Sequence, residues 1–229
     1  MNAVITAATK GIGRSISQKL AAEGYNLVIC ARDEAALAAM AVELEQYGVK
    51  VHYRATDCAL KSEVYEFANF CLSVYDQIDV LVNNAGIFLP GSILDEEDSC
   101  FENQLQVNLN CAYYLSKVIG RQMRTQRRGH LINICSTASK EIKENAGSYA
   151  VTKSALLSLN NALRDELATH NVKVTAILPG ATLTASWDGT QIPKEQFVLP
   201  EDIAESISQL LKLSTGANVD ELVIRPINL

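Results

Sequence analysis

The sequence predicts an α/β fold: a doubly wound domain with a mostly parallel seven-stranded sheet flanked by helices. Three observations carry this. Short apolar runs alternate with helical periodicities along the whole chain. The apolar runs are continuous, as strands buried on both faces require. A stretch bearing two glycines, Thr6-Ala7-Ala8-Thr9-Lys10-Gly11-Ile12-Gly13, joins the first run to the first helix. Strands separated by helices imply right-handed crossovers, and so a parallel sheet covered on both sides.

The elements follow in order. Strands are expected at residues 3–6, 27–30, 49–53, 80–82, 131–135, 172–178 and 222–224, each an aliphatic run. Helices are expected at roughly 12–23, 34–47, 60–75, 99–128, 148–169 and 200–213. The helix at 99–128 closes on Arg121, Arg124, Arg127 and Arg128, cations that complement the negative end of a helix dipole. The last helix opens on Pro200, Glu201 and Asp202, which suits a first turn. No linker, repeat or low-complexity segment interrupts the chain, so residues 1–229 are expected to form one domain. A short segment at about 181–199 is its expected substrate lid.

Composition bounds the function. A chain of 229 residues suits one α/β domain and buries roughly 70–75% of its unfolded surface. Its net charge of −6 weighs against a nucleic-acid partner. Cys30, Cys58, Cys71, Cys100, Cys111 and Cys135 form no CxxC pair and lie mostly in apolar stretches. They read as small buried hydrophobes in a reducing cytoplasm. His52, His130 and His170 have no metal-ligand spacing, so no metal is expected. There is no basic leader and no apolar run of membrane-spanning length. A cytoplasmic protein without membrane association is expected.

In open parallel sheets, ligands bind beyond the carboxyl ends of the strands, where the glycine stretch lies. Gly11 and Gly13 let backbone approach a pyrophosphate, and the helix that follows offers free N–H groups and a positive dipole end. Thr6 and Thr9 add hydroxyls. Ala7 stands where a glycine is usual and is expected to keep a negative φ, since a left-handed alanine costs roughly 1–2 kcal/mol. Mere tight packing is the competing reading of such a loop. The residues after the second strand bear on the choice of dinucleotide. Arg32 follows that strand and Lys10 sits in the loop. The two cations together favour the 2′-phosphate of NADP(H). Asp33 is the competing residue, for the ribose of NAD(H), and also suits a helix start.

Four further features stand at strand ends and helix faces: Asn83-Asn84-Ala85-Gly86, Asn108, Ser136, and the pair Tyr149 and Lys153 at i, i+4. Each alone has an ordinary reading, as a surface pair, a cap or a satisfied buried amide. Together and in this order they resemble the short-chain dehydrogenase/reductase family, over essentially the whole chain. The resemblance implies a Rossmann-type fold with Asn108, Ser136, Tyr149 and Lys153 as catalytic residues. It implies cofactor contacts from Thr6, Thr9, Lys10, Gly11, Ile12, Gly13 and Arg32. It adds Asp57 and Cys58 at the adenine, Asn83, Ala85 and Gly86 after the fourth strand, and Tyr149 and Lys153 themselves. Pro179, Gly180 and Thr184 match the segment against the nicotinamide. Ala31, followed by Arg32, occupies the place of the family's acidic NAD discriminator. The resemblance also implies a homodimer or homotetramer through the helices at 99–128 and 148–169.

The chemistry stands without the label. Reducing a carbonyl needs hydride on carbon and a proton on oxygen. Nicotinamide supplies the first and Tyr149 the second. A free phenol has a pKa of about 10, and the Lys153 ammonium favours its phenolate. Ser136 donates to the substrate oxygen as negative charge grows there. By resemblance, Asn108 holds a water leading to Lys153. The expected substrate is a small-molecule carbonyl, either a general ketone or aldehyde or a 3-oxoacyl thioester. The ending NVDELVIRPINL departs from the glycine-rich ending of many carrier-protein reductases. An NAD-linked alcohol dehydrogenase and a dinucleotide-binding redox sensor without turnover are the alternatives. Trp187, Phe88, Leu89 and Ile142 either line the substrate pocket or pack loops.

Overall fold

A computed structural model describes residues 1–142, 144–187 and 189–228. The strands are β1 (Asn2–Ile5), β2 (Asn26–Ala31), β3 (Val51–Ala55), β4 (Val80–Asn83), β5 (Gly129–Ile134), β6 (Val172–Pro179) and β7 (Glu221–Ile224). All pair parallel, in the order β3-β2-β1-β4-β5-β6-β7. The helices are α1 (Gly11–Ala22), α2 (Glu34–Glu45), α3 (Lys61–Val74), α4 (Asp98–Leu105), α5 (Cys111–Gln126), α6 (Gly147–Ala168) and α7 (Pro200–Leu211).

The continuous apolar runs now have a cause. Ala3 and Ile5 of β1 enter the core layer under α1, α2 and α7, with Ile16, Leu37 and Ile203. Val4, between them, enters the opposite layer, with Phe67 of α3 and Leu115 of α5. Strand side chains alternate between faces, so a sheet covered on both sides needs apolar residues at every position. Chain direction across the sheet reverses between β1 and β4. The crevice at their carboxyl ends is therefore the place for a ligand.

One element differs from expectation. The helix expected at 99–128 is broken by a π-helical turn at Gln106–Asn110, between α4 and α5. A wider turn of this kind inserts extra backbone and re-aims side chains. Here it carries Asn108, which is fully buried. The arginines do gather at the end of α5: Arg124 lies in its last turn and Arg127 is its left-handed C-cap.

All six cysteines are free, with Cys58 and Cys100 partly exposed and the other four buried. His130 of β5 is also buried, its Nε2 2.8 Å from Thr175 Oγ1. Burial, and then the charge of Lys173, push its pKa down to about 4. The folded protein therefore holds His130 neutral, while the unfolded chain takes a proton below about pH 6.5. Stability contributed by this group is present above that pH and is lost as pH falls towards 4. Between pH 7 and pH 5 the loss is about 2 kcal/mol. Urea unfolding at both pH values is expected to show it in the parent. His130→Gln is expected to lack that part of the slope, and an equal slope in both proteins would refute the assignment.

Candidate active site

The glycine loop leaves β1 through Thr6 and Ala7. Ala7 has φ +51°, so the expectation of a negative φ is corrected. The left-handed turn costs roughly 1–2 kcal/mol and is held by bonds around it. Asn84 Nδ2 donates to the carbonyls of Thr6 and Ala7 at 3.0 and 3.2 Å, and Ala8 N donates to Cys30 O at 3.0 Å. Gly13 is buried against the same place. A Cβ there would lie 2.3 Å from Ala7 O and 2.4 Å from Asn84 Nδ2, so only glycine fits. Gly11 also has positive φ, and a Cβ on it would meet Thr184 at 3.1 Å.

Helix α1 starts at Gly11 with neither a side-chain cap nor an acidic residue in its first turn. Its amides at Gly11, Ile12 and Gly13 have no partner within the helix; the first intrahelical bond runs from Arg14 N to Lys10 O. Ile12 points its side chain towards the core, which leaves its amide as its polar group here. Thr9 is half-buried, and Lys10 and Arg32 are exposed. Among the described residues, neither cation lies within ion-pair distance of a carboxylate. Asp33, by contrast, is the N-cap of α2, accepting from Ala36 N at 3.0 Å. Asp57 caps its own turn at Ala59 N, and its amide is held by Glu63.

Thr6 and Asn83 turn their side chains inwards. The Thr6 hydroxyl is buried and accepts from the amides of Asn84 and Ala85, both at 2.9 Å. It stitches β1 to the end of β4. The Asn83 side chain is likewise buried, donating to Ser116 and Asn133 at 2.8 and 2.9 Å. Asn84, expected only as part of the Asn83–Gly86 motif and not as a contact itself, carries the loop geometry. Its partners lie nearly eighty residues away, so no local spacing marks it.

Ser136, Tyr149 and Lys153 come together at the end of β5 and the start of α6. Ser136 Oγ accepts from Ala138 N at 3.1 Å, and its proton has no acceptor among the described residues. Ser139 Oγ donates to Lys153 O, and Ser154 Oγ donates to Ser139 O, both at 2.9 Å. These bonds fasten the turn after Ser136 to the helix that bears Lys153. Lys153 is 3% exposed, and its Nζ donates to Ile134 O at 2.9 Å. The ammonium stands 5.8 Å from the centre of the Tyr149 ring. A Cβ on Gly86 would fall 3.2 Å from it, so a glycine after β4 lets the ammonium in. Phe88 meets the Tyr149 ring edge-on, with centroids 5.1 Å apart.

Asn108 sits fully buried in the π-helical turn. Its Oδ1 accepts from Ile87 N at 2.7 Å, and its Nδ2 donates to Ile87 O and Thr152 Oγ1 at 3.0 Å. These three bonds commit the side chain to protein groups. It ties the loop after Gly86 to α6 beside Tyr149 and Lys153.

The segment after β6 closes the crevice. Pro179 is buried, and Gly180 N donates to Ile224 O at 2.7 Å. Leu183 N bonds Val198 O and Val198 N bonds Ala181 O, at 2.9 and 3.0 Å, so Ala181–Leu183 are tied to Val198, and Thr184 lies over Gly11. Trp187 meets Phe197 edge-on with centroids 4.9 Å apart, joining the two ends of this segment. Asp188, within the expected lid, lies outside the described residues, as do Lys143 and Leu229. Ile142 is 78% exposed.

The chain is similar to known proteins along nearly its whole length. An uncharacterized oxidoreductase of Staphylococcus saprophyticus is 33% identical over 226 residues, which cover 98% of this chain and 97% of that protein. An alcohol dehydrogenase from the archaeon Thermococcus sibiricus, solved with 5-hydroxy-NADP, superposes with a TM-score of 0.91 at 31% identity, covering 99% of this chain and 96% of the other. A metagenomic short-chain oxidoreductase solved with NADP gives 0.87 at 30% identity, with coverage of 99% and 96%. The family model for short chain dehydrogenases matches residues 1–194, and the chain is an oxidoreductase of the short-chain dehydrogenase family.

Proposed function

We propose that the protein reduces a carbonyl to an alcohol with NADPH, with Tyr149 as proton donor. The observation that carries this is the buried Lys153 ammonium beside the Tyr149 ring, next to a serine whose hydroxyl proton has no acceptor among the described residues. When bound, NADPH supplies the hydride. Tyr149 gives its phenolic proton to the carbonyl oxygen, and Lys153 stabilises the negative charge left on the ring. Ser136 donates to the same oxygen as charge develops on it. Asn108 keeps the loop after Gly86 in register with α6. The substrate is a ketone, an aldehyde or a 3-oxoacyl thioester, and residues 181–199 act as its lid.

The residues present fit the cofactor. The uncapped start of α1 offers three free amides to the pyrophosphate, with Thr9 at its side. Lys10 and Arg32, unpaired, receive the 2′-phosphate, while the Asp33 carboxylate is taken up as a helix cap. Asp57 and Cys58 lie at the adenine, Ala85 and Gly86 along the crevice floor, and Pro179, Gly180 and Thr184 at the nicotinamide end. Lys153 has donors left over for the ribose. Assembly as a homodimer or homotetramer through α5 and α6 accords with the family.

Initial rates with NADPH and NADH, over a panel of ketones, aldehydes and a 3-oxoacyl thioester, test the reading. NADPH is expected to be preferred, and consumption of neither cofactor would refute a reductase. Tyr149→Phe is expected to lower kcat by roughly 10²–10⁴-fold while NADPH titrates as in the parent. Retained turnover would remove Tyr149 as donor. Arg32→Ala is expected to raise the KM for NADPH roughly tenfold or more, as loss of a charge-assisted contact does, and to leave that for NADH unchanged. Equal effects on both cofactors would place Arg32 away from the 2′-phosphate.

A further inference from the structure

The segment after β4 is held as a wall beside Tyr149. Ile87 is tied to Asn108, and Leu89 N donates to Gln104 Oε1 at 3.2 Å. Gly91 N donates to Asn145 O at 2.9 Å, and the Ser148 hydroxyl donates to Glu96 Oε1. Ile93 rests on Gly147. A Cβ at position 147 would lie 2.6 Å from Ile93 Cγ1 and Cδ1, so glycine is what lets the isoleucine in. Residues 87–96 are thus fastened to α4, to the π-helical turn and to the start of α6. Asn145, Gly147 and Ser148 lead directly into Tyr149, so the wall and the phenol are held to one another.

The surface of this wall is apolar near Tyr149. Phe88 meets the Tyr149 ring edge-on yet stays 44% exposed, and Ile93 is 58% exposed. Each is seated on one side and bare on the other. A side chain that served only to pack the loop would be covered. Leu94, next in the chain, is exposed as well. Beyond it the wall turns acidic: Asp95, Glu97 and Asp98 are exposed, and so is Glu102. Among the described residues, none of these four carboxylates has a cation within ion-pair distance. Glu97 and Asp98 suit the start of α4, and all four give the outer end of the wall a negative potential. The cations Lys140, after β5, and Arg225, after β7, are taken up by Glu221 and Glu141. Lys194, in the segment after β6, adjoins Glu195 in the chain.

We propose that the substrate is an uncharged ketone or aldehyde whose apolar arm lies on Phe88 and Ile93, and that a 3-oxoacyl group borne on an anionic carrier is disfavoured; this rests on the reductase reading above. With the carbonyl oxygen at Tyr149 and Ser136, one substituent of the carbonyl carbon falls against the bare side of the Phe88 ring. Burying that arm removes apolar surface of both partners from water. The wall is already fastened, so little ordering opposes the contact. An anionic carrier meets the opposite effect. Joined to the acyl group by its thioester, it extends past Leu94 to the carboxylates. Its phosphates then come within a Debye length of them, about 10 Å at 0.1 M salt. Phe88 thus selects by the size of the apolar arm, and the acids beyond it select by charge.

The test is initial rates with NADPH over linear methyl ketones of growing chain length. To these is added one 3-oxoacyl group, presented as its coenzyme A thioester and as its neutral N-acetylcysteamine thioester. For the ketones, kcat/KM is expected to rise roughly fourfold per methylene added, as burial of one CH₂ gives, and to do so through KM. Phe88→Ala is expected to flatten that rise, and Phe88→Leu to keep most of it. A parent indifferent to chain length overturns the assignment. So does a loss of kcat in Phe88→Ala that is equal for every ketone, since Phe88 would then only support Tyr149. The coenzyme A thioester is expected to be poorer than the neutral thioester by roughly tenfold or more at low salt, with the gap narrowing at high salt. A coenzyme A thioester turned over as well as the best ketone overturns the substrate class. Reduction of no carbonyl at all is a separate result, and it overturns the reductase reading and this one with it.

Discussion

The site depends on how the two halves of the sheet are joined where their order reverses. Asn84, just past β4, reaches across to the carbonyls of Thr6 and Ala7, while Thr6 receives the amides of Asn84 and Ala85. These four bonds hold the mouth of the crevice. Each is worth about 1 kcal/mol net, enough together to outweigh a left-handed alanine. With the Ala7 carbonyl and the Asn84 amide fixed there, no room is left for a side chain at position 13. The first turn of α1 then lies close to the strand ends with its amides free. A loop that lacks the usual first glycine keeps its geometry because a partner from the other half of the sheet enforces it.

What was legible in the sequence follows from range. The alternation of strands and helices is local and periodic, so all seven strands were placed within a few residues. The pair Tyr149 and Lys153 was legible because i, i+4 on a helix is a local relation. The commitments of Thr6, Asn83, Asn84 and Asn108 were not. Each is set by a partner between 21 and 79 residues away. An asparagine carries both donor and acceptor, so composition alone cannot say whether it will meet ligand or protein. The π-helical turn escaped for a related reason: the periodicity of 106–110 is ordinary, and the wider turn accompanies Asn108 turning in to bond Ile87.

The same accounting separates the two candidate discriminators after β2. Arg32 and Asp33 are neighbours, and from sequence alone either could face a ribose. Asp33 is taken up because α2 needs a cap and a short acidic side chain supplies it. Arg32 has no such local use. Among the described residues it forms no ion pair, and like Lys10 it follows a strand end on this side of the sheet, so the two add positive charge there although the chain as a whole carries −6.

Lys153 extends the argument from geometry to electrostatics. An ammonium 3% exposed has three donors, and among the described residues one is satisfied, at Ile134 O. A buried charge with unfilled donors is costly, and native interiors seldom leave it so without a functional reason. The surrounding structure nevertheless goes to some length to keep it there. Gly86 clears space for it, Ser139 and Ser154 anchor its helix to the turn after Ser136, and Asn108 fastens the facing loop. A purely structural lysine would need none of this, since a shorter apolar residue would fill the volume at lower cost. The arrangement makes sense if the remaining donors are reserved for groups that arrive with the ligand, and if the charge is wanted beside the Tyr149 ring when that ring gives up its proton.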